Sequence, residues 1–236
     1  IITVDCGTAS FEAIDYAKEI GLKIVVIDHH LSSDTLPQAD ALVNPNRYDE
    51  TTEHNNIAAV GVAFLLAAAL NSHLRKINYF SCINEPSLLN FLDIVAIGTI
   101  CDVVPLKSLN RAFVVQGLKI LNQKKNAGVK ALCNLLNIEG DLSTYHLGYV
   151  IGPRINAGGR VGEAKLGSLF LSTNDYEQAF EIAQKLNLYN EERKAIEQNV
   201  YELALAQAQK QIEDEVLIMV GGENWHQGVV GIIAGR

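Results

Sequence analysis

An α/β chain is expected here: a parallel-sheet catalytic domain, then a long connecting helix that leads to a second, truncated α/β domain. Two observations predict it. A strand, a helix and a second strand follow one another within the first 27 residues, and the stretch from Ser168 to Val220 contains neither glycine nor proline. At 236 residues and 48% apolar content, the chain is long enough for one large or two modest cores.

The first strand is the apolar run Ile1 to Val4, ending at Asp5. Gly7 permits a tight turn, Ser10 can cap an amphipathic helix reaching about Ile20, and Gly21 follows it. Lys23 to Ile27 forms the second strand. A βαβ unit of this length favours a parallel pair with helices on the faces, and ligands gather at the carboxyl ends of such strands. Asp5 and Asp28-His29-His30 both fall on that edge.

Ile57 to Leu70 is nearly uninterrupted apolar sequence but short of the ~20 residues that cross a bilayer, so it reads as a buried helix. Leu88 to Cys101 is a helix or a strand by periodicity alone, and Pro105 stops it. From Lys107 to about Leu136 the pattern is helical, with breaks at Asn126 and Gly128. Gly152 to Arg160 reads as an irregular loop, because its glycines and proline disfavour any regular element. Residues 175–213 read as one helix of roughly 60 Å connecting two domains, with a break expected near Asn187 to Asn190. Val216 to Val220 then opens a new strand. The expected division is a catalytic domain over 1–174, the connecting helix over 175–213 and the start of a second domain over 214–236.

Four scattered cysteines with no C-x-x-C spacing argue against a zinc ribbon or a disulfide framework and suit a reducing, cytoplasmic setting. Both ends of the chain read as cut, so the missing leader says little about location.

Asp5, Asp28, His29, His30 and Asp102 form the sharpest constellation. Hard divalent cations such as Mn²⁺ and Mg²⁺ take carboxylate oxygens, and Mn²⁺ also accepts imidazole. Adjacent histidines after a strand project in different directions, so one would bind metal and the other would face substrate. Read blandly, the aspartates are turn or cap residues and the histidines a surface pair. Asp102 stands among apolar residues, where a charge is costly unless a cation meets it. Arg154 and Arg160 flank small residues, in a segment that is either a plain loop or a nest of backbone N–H groups for an anion. Trp225 is open between a packing anchor and a base-stacking platform. His54, His73 and His146 have no partner spacing and read as surface or core residues.

The order Asp5-Cys6-Gly7, Asp28-His29-His30, Cys101-Asp102-Val103-Val104-Pro105-Leu106, Gly152 to Arg160 and Trp225-His226-Gln227-Gly228 resembles the DHH phosphoesterase superfamily. Within it, the resemblance is to the bacterial RecJ family of single-strand-specific exonucleases, and it spans nearly the whole chain. It implies metal-dependent phosphodiester hydrolysis, 5′ to 3′ on single-stranded DNA, in repair and recombination. Asp5, His29 and Asp102 would bind Mn²⁺ or Mg²⁺ in a two-metal site. His30 would contact the phosphate, with Asp28 as its supporting carboxylate. Arg154 and Arg160 would clamp the phosphodiester, and Asn156, Gly158, Gly159 and His226 would complete the substrate contacts. Single-stranded DNA is the implied partner, with a single-strand-binding protein and a helicase as further candidates and no membrane.

Two acidic motifs that this family carries upstream, and a Ser-Gly-Arg motif downstream, do not occur here, so the expected identity is an internal piece of a longer enzyme, inactive alone. Two other readings compete. One is a small-substrate relative (an oligoribonuclease, a cyclic-dinucleotide phosphodiesterase or a pyrophosphatase), and the other is a replication scaffold without catalysis. The net charge of −8 excludes only a uniformly basic binder, since residues 107–160 carry eight basic and two acidic side chains.

Overall fold

The computed structural model describes residues 1–211 and 217–236. It divides into two compact units that interleave in sequence. The first takes residues Ile1–Gln123 and Asp141–Gly148, and the second takes Lys124–Gly140 and Tyr149–Arg236.

In the first unit, β1 (Ile2–Val4), β2 (Val25–Ile27) and β3 (Ala41–Val43) form a three-stranded parallel sheet in the order β1-β2-β3. The register sets Ile2 against Val25 and Val25 against Ala41. Between β1 and β2 runs α1 (Phe11–Glu19), which starts after Ser10 without a bond from the serine hydroxyl. β2 is central and buried on both faces. Val26 packs with Ile14 of α1 and with Ile24, while Ile27 packs with Ile57 and with Val62 of α2 (Ala59–Lys76). The third strand was not expected from the sequence, yet it completes the edge that carries the site.

Leu88 to Cys101 resolves into a 3₁₀ turn, Leu88–Phe91, and the helix α3 (Leu92–Cys101), which ends at Asp102. α4 (Ser108–Leu121) lies directly on α3. Gly117 permits this approach, since a Cβ there would stand 2.2 Å from the carbonyl oxygen of Leu92.

The second unit is helical among the described residues. α5 (Ala127–Leu135) is capped by the Asn126 side chain, which accepts from the Val129 amide, so the expected break falls at Asn126 and Gly128 lies inside the helix. A π-helical turn, His146–Ile151, leads into α6 (Gly152–Val161). This corrects the loop expected over Gly152 to Arg160. Pro153 occupies the first turn, where its missing N–H had no helical partner in any case. Gly158 is buried against the turn at Glu163 and against Leu186. α7 (Lys165–Ser172) follows.

α8 runs unbroken from Tyr176 to Ala208, 33 residues or ~50 Å, after an Asp175 cap that accepts from the Glu177 and Gln178 amides. The break expected at Asn187 to Asn190 is absent. Asn187 takes a hydrogen bond from Arg154, and Asn190 is fully buried. α8 packs against α5, α6 and α7, and further along its Val200 and Ala204 meet Val229 and Ile233 of α9 (Gln227–Ala234).

Val216, in the strand expected over 216–220, lies outside the described residues. Leu217 to Val220 is not a strand, because glutamine side chains take the place of a neighbouring strand. Gln211 bonds both backbone groups of Met219, and Gln207 those of Gly221. Among the described residues, no helix is long and apolar enough to cross a membrane.

Candidate metal centre

The site lies in the first unit, at the carboxyl edge of the sheet. Asp5 follows β1 with φ +62°, a left-handed conformation that Asp tolerates better than most residues, and its amide is held by the Ile27 carbonyl at 2.9 Å. Gly7 has φ +119°, and a Cβ there would strike Thr3 and Val26. The chain thus folds back sharply and brings Thr8 over the end of β2.

Asp28 follows β2 and is 2% exposed. Its Oδ2 accepts from the Thr8 amide at 2.9 Å, and its Oδ1 accepts from the His29 amide and from His30 Nδ1, both at 2.8 Å. Burial pushes this carboxyl upward, but the hydroxyl and amide of Thr8, the His30 ring and the His29 amide outweigh it and hold Asp28 well below the ordinary carboxylate range. Asp28 is therefore an ionised buried anion that orients other groups.

His29 is the centre of the cluster. Its Nε2 lies 3.3 Å from Asp5 Oδ1 and its Nδ1 3.4 Å from Asp102 Oδ2. The ring of His30 packs edge-on against it, with centroids 4.7 Å apart. Ligating atoms of Asp5, His29 and His30 all fall within 4.8 Å of one another, while Asp102 joins through the other nitrogen of His29. Burial raises the Asp102 carboxyl, His29 and His30 oppose that, and the Asp5 charge adds to it. The hydrogen bond it donates to Asp28 holds the His30 ring above its ordinary value, against partial burial.

Asp102 caps α3 and is followed by Val103, a β-branched residue at φ +57° and 86% exposed. Behind this turn, buried Asn110 donates Nδ2 to the carbonyls of Pro105 (3.0 Å) and Asn56 (2.6 Å), and its Oδ1 has no partner among the described residues.

Residues 1–99 match the DHH family, N-terminal domain. The single-stranded-DNA-specific exonuclease RecJ of Escherichia coli (strain K12) is 40% identical over 245 residues, covering all of this chain and 42% of that protein. RecJ of Bacillus subtilis (strain 168) is 35% identical over 237 residues, covering all of this chain and 28% of that protein. A crystal structure of exonuclease RecJ bound to manganese superposes with a TM-score of 0.83 at 32% identity, over all of this chain and 57% of that one. RecJ in complex with Mn²⁺ from Thermus thermophilus superposes at 0.81, also at 32% identity, over all of this chain and 34% of that one.

Over residues 1–99 the chain belongs to the DHH family.

It spans about two fifths of the length of the Escherichia coli relative. The DHH signature, Asp28-His29-His30, is thus divided by geometry: the carboxylate is buried as support, the first histidine is clasped between two aspartates, and the second stands at the surface with its side chain 62% exposed.

The residues expected to contact substrate, His30 aside, belong to the second unit. Arg154 is half-buried and donates Nε to Asn187 (2.9 Å) and Nη1 to the Val150 carbonyl (2.8 Å). Among the described residues no carboxylate contacts it. Burial pushes it below the ordinary guanidinium range, and Glu191 opposes this. Arg160 donates Nη1 to the carbonyl of Gly228 at 2.8 Å, and His226 accepts from the Gly228 amide at 3.1 Å, so these two meet on the turn that opens α9. Asn156 and Gly159 are exposed on α6, and Gly158 is a packing residue. The backbone nest, one of the two alternatives for this segment, does not form, because amides beyond the first turn of a helix bond to carbonyls four residues back, as Gly162 does to Gly158.

Thr8, Asn44 and Asn46 were missed in the sequence. The available signal was Asn44-Pro45-Asn46 after the apolar Ala41 to Val43, a polar turn at the same sheet edge as Asp5 and Asp28.

Proposed function

We propose that this chain supplies the metal-binding part of a single-strand-specific exonuclease that hydrolyses phosphodiester bonds 5′ to 3′ with Mn²⁺ or Mg²⁺. The observation that carries this reading is the clasp of His29 between Asp5 and Asp102 at the carboxyl edge of a parallel sheet. The donor set of carboxylate and imidazole, with no thiolate in it, fits these cations. Asp5, His29 and Asp102 would contribute ligands to a two-metal site, Asp5 and Asp102 standing at opposite nitrogens of the His29 ring. Once bound, a divalent cation lowers the pKa of water and neutralises charge on the leaving oxygen.

The remaining roles follow from the protein's own groups. Asp28 is an acceptor on Nδ1 of His30, so that ring carries its proton on Nδ1 and turns Nε2 toward solvent. Protonated, Nε2 donates to a phosphoryl oxygen; neutral, it accepts. Asp102 and Asp5 concentrate negative charge where a cation is needed, and Arg154, with no carboxylate on it, keeps a cation for the anionic backbone of a strand. The proposed setting is the bacterial cytoplasm, in DNA repair and recombination, with a single-strand-binding protein and a helicase supplying the unwound strand.

The test is an assay on 5′-labelled single- and double-stranded oligonucleotides. At the length of its relatives, the enzyme is expected to shorten the single strand from its 5′ end, to spare duplex and to stop in EDTA, while these 236 residues alone are nearly inactive. Equal activity on duplex, or cleavage that survives EDTA, would sink the reading.

A further inference from the structure

The loop bearing both histidines is fastened from the neighbouring strand by two asparagines. Asn44, directly after β3, is 3% exposed and gives both protons of its amide away, to Thr8 Oγ1 at 2.9 Å and to the carbonyl of His30 at 2.8 Å. Its Oδ1 accepts from the Asn46 amide at 2.7 Å, which folds the short turn across Pro45. Asn46 in turn donates Nδ2 to the carbonyl of His29. Asp28 holds the amides on the other side, that of His29 at 2.8 Å and that of His30 at 3.3 Å.

Peptide units are planar, so a bond to either end of one fixes the whole plane. The plane before His29 is held by Asp28, the plane between His29 and His30 by Asp28 and Asn46, and the plane after His30 by Asn44. Each histidine Cα therefore hangs between two fixed planes, and the direction in which each ring leaves the backbone is set. Only an amide side chain can do this at Asn44, where one group must donate twice and accept once.

We infer that Asn44 and Asn46 are positioning residues: they aim His29 between Asp5 and Asp102 and set the His30 ring beside it with Nδ1 on Asp28. The inference rests on the metal-site reading given above. Residues that orient metal ligands in this way typically change metal affinity by about ten- to a hundredfold when removed.

Asn46 is half-buried and tolerates substitution better than Asn44. The probe is Mn²⁺ alone, titrated into the 236-residue chain while the free aquo ion is counted by EPR, at a temperature where circular dichroism shows each variant folded. Asn46→Asp keeps the shape, removes the donor and adds a negative charge. Charge alone would tighten Mn²⁺ binding, so weakening by about tenfold or more reports the lost hydrogen bond. Unchanged or tighter binding in both Asn46→Asp and Asn46→Ala overturns the inference, and Asn46→Ala carries the test if the charged variant does not fold. If the unsubstituted chain takes up no Mn²⁺, these residues do not hold the ion without further ligands, and the inference is then judged on the metal-free chain. There, ring resonances of His29 and His30 should shift or broaden in Asn46→Ala while those of His73 and His146 stay in place. Unmoved His29 and His30 signals overturn it.

Discussion

His30 donates its Nδ1 proton to the buried Oδ1 of Asp28 across 2.8 Å. The bond binds the two titrations together with opposite signs. Asp28 is held below its ordinary 3.8, so its contribution to stability is present above that pH and is lost as pH falls through the depressed value. His30 is held above 6.5, so its contribution is complete below 6.5 and is lost as pH rises through the elevated value. The metal-free chain should draw on both between about pH 4 and 6.5. In Asp28→Asn, the His30 ring is expected to titrate lower than in the unsubstituted chain. Ring-proton shifts followed against pH check this, and an unmoved His30 midpoint would remove the bond from the account.

Asp93 behaves in the opposite way. It lies in the first turn of α3, 6% exposed, accepting from the Ile94 amide at 2.7 Å with no cation in contact among the described residues. Burial raises its pKa, so the folded chain loses stability as pH climbs from 3.8 through the raised value. Asp93→Asn should raise the Tm by ~2 °C or more at pH 7, with the gain shrinking toward pH 4. A Tm that falls at pH 7 would mean that the carboxylate has a partner that stabilises its charge.

Two glycines separate tight packing from open surface. Gly117→Ala forces α4 off α3, because the new methyl would overlap the Leu92 carbonyl and stand 2.5 Å from the Ala96 Cβ. A loss of about 3 kcal/mol in urea unfolding is expected. Gly159→Ala meets nothing within 4 Å on the exposed side of α6 and should gain up to about 1 kcal/mol from helix propensity. A loss at Gly159 would argue against the helix.

Val103 stands in left-handed backbone beside Asp102. That conformation costs a β-branched residue roughly 1–3 kcal/mol, while a glycine adds up to about 1 kcal/mol of freedom to the unfolded chain. Val103→Gly is therefore expected to stabilise by about 1 kcal/mol in the same urea measurement. Destabilisation would show that the isopropyl group makes contacts worth more than the strain.

Most of what was legible in the site depends on strand ends. Asp5 and Asp28-His29-His30 follow apolar runs, and the parallel pairing of β1 with β2 puts them on one edge without any knowledge of the rest. Asp102 was legible from its apolar company. Asn44 and Asn46 were not, because β3 forms through its pairing with β2 rather than through its own propensity. Gly152 to Arg160 misled for a related reason. Its composition favours a loop, but Pro153 falls where a helix tolerates it and Gly158 is required by packing on Leu186, and tertiary fit decided against local preference. At Leu217 to Val220 the apolar pattern suited a strand, and glutamine amides took the backbone groups instead.

Thr8, Asp28, Asn44 and Asn46, which hold the histidines, are all short side chains with one or two rotatable bonds. Freezing a lysine or arginine forfeits up to about 2 kcal/mol of rotamer entropy, and these residues have far less to lose. The loop can thus be ordered before any cation arrives at small entropic cost, so that little of the binding free energy is diverted into arranging the ligands.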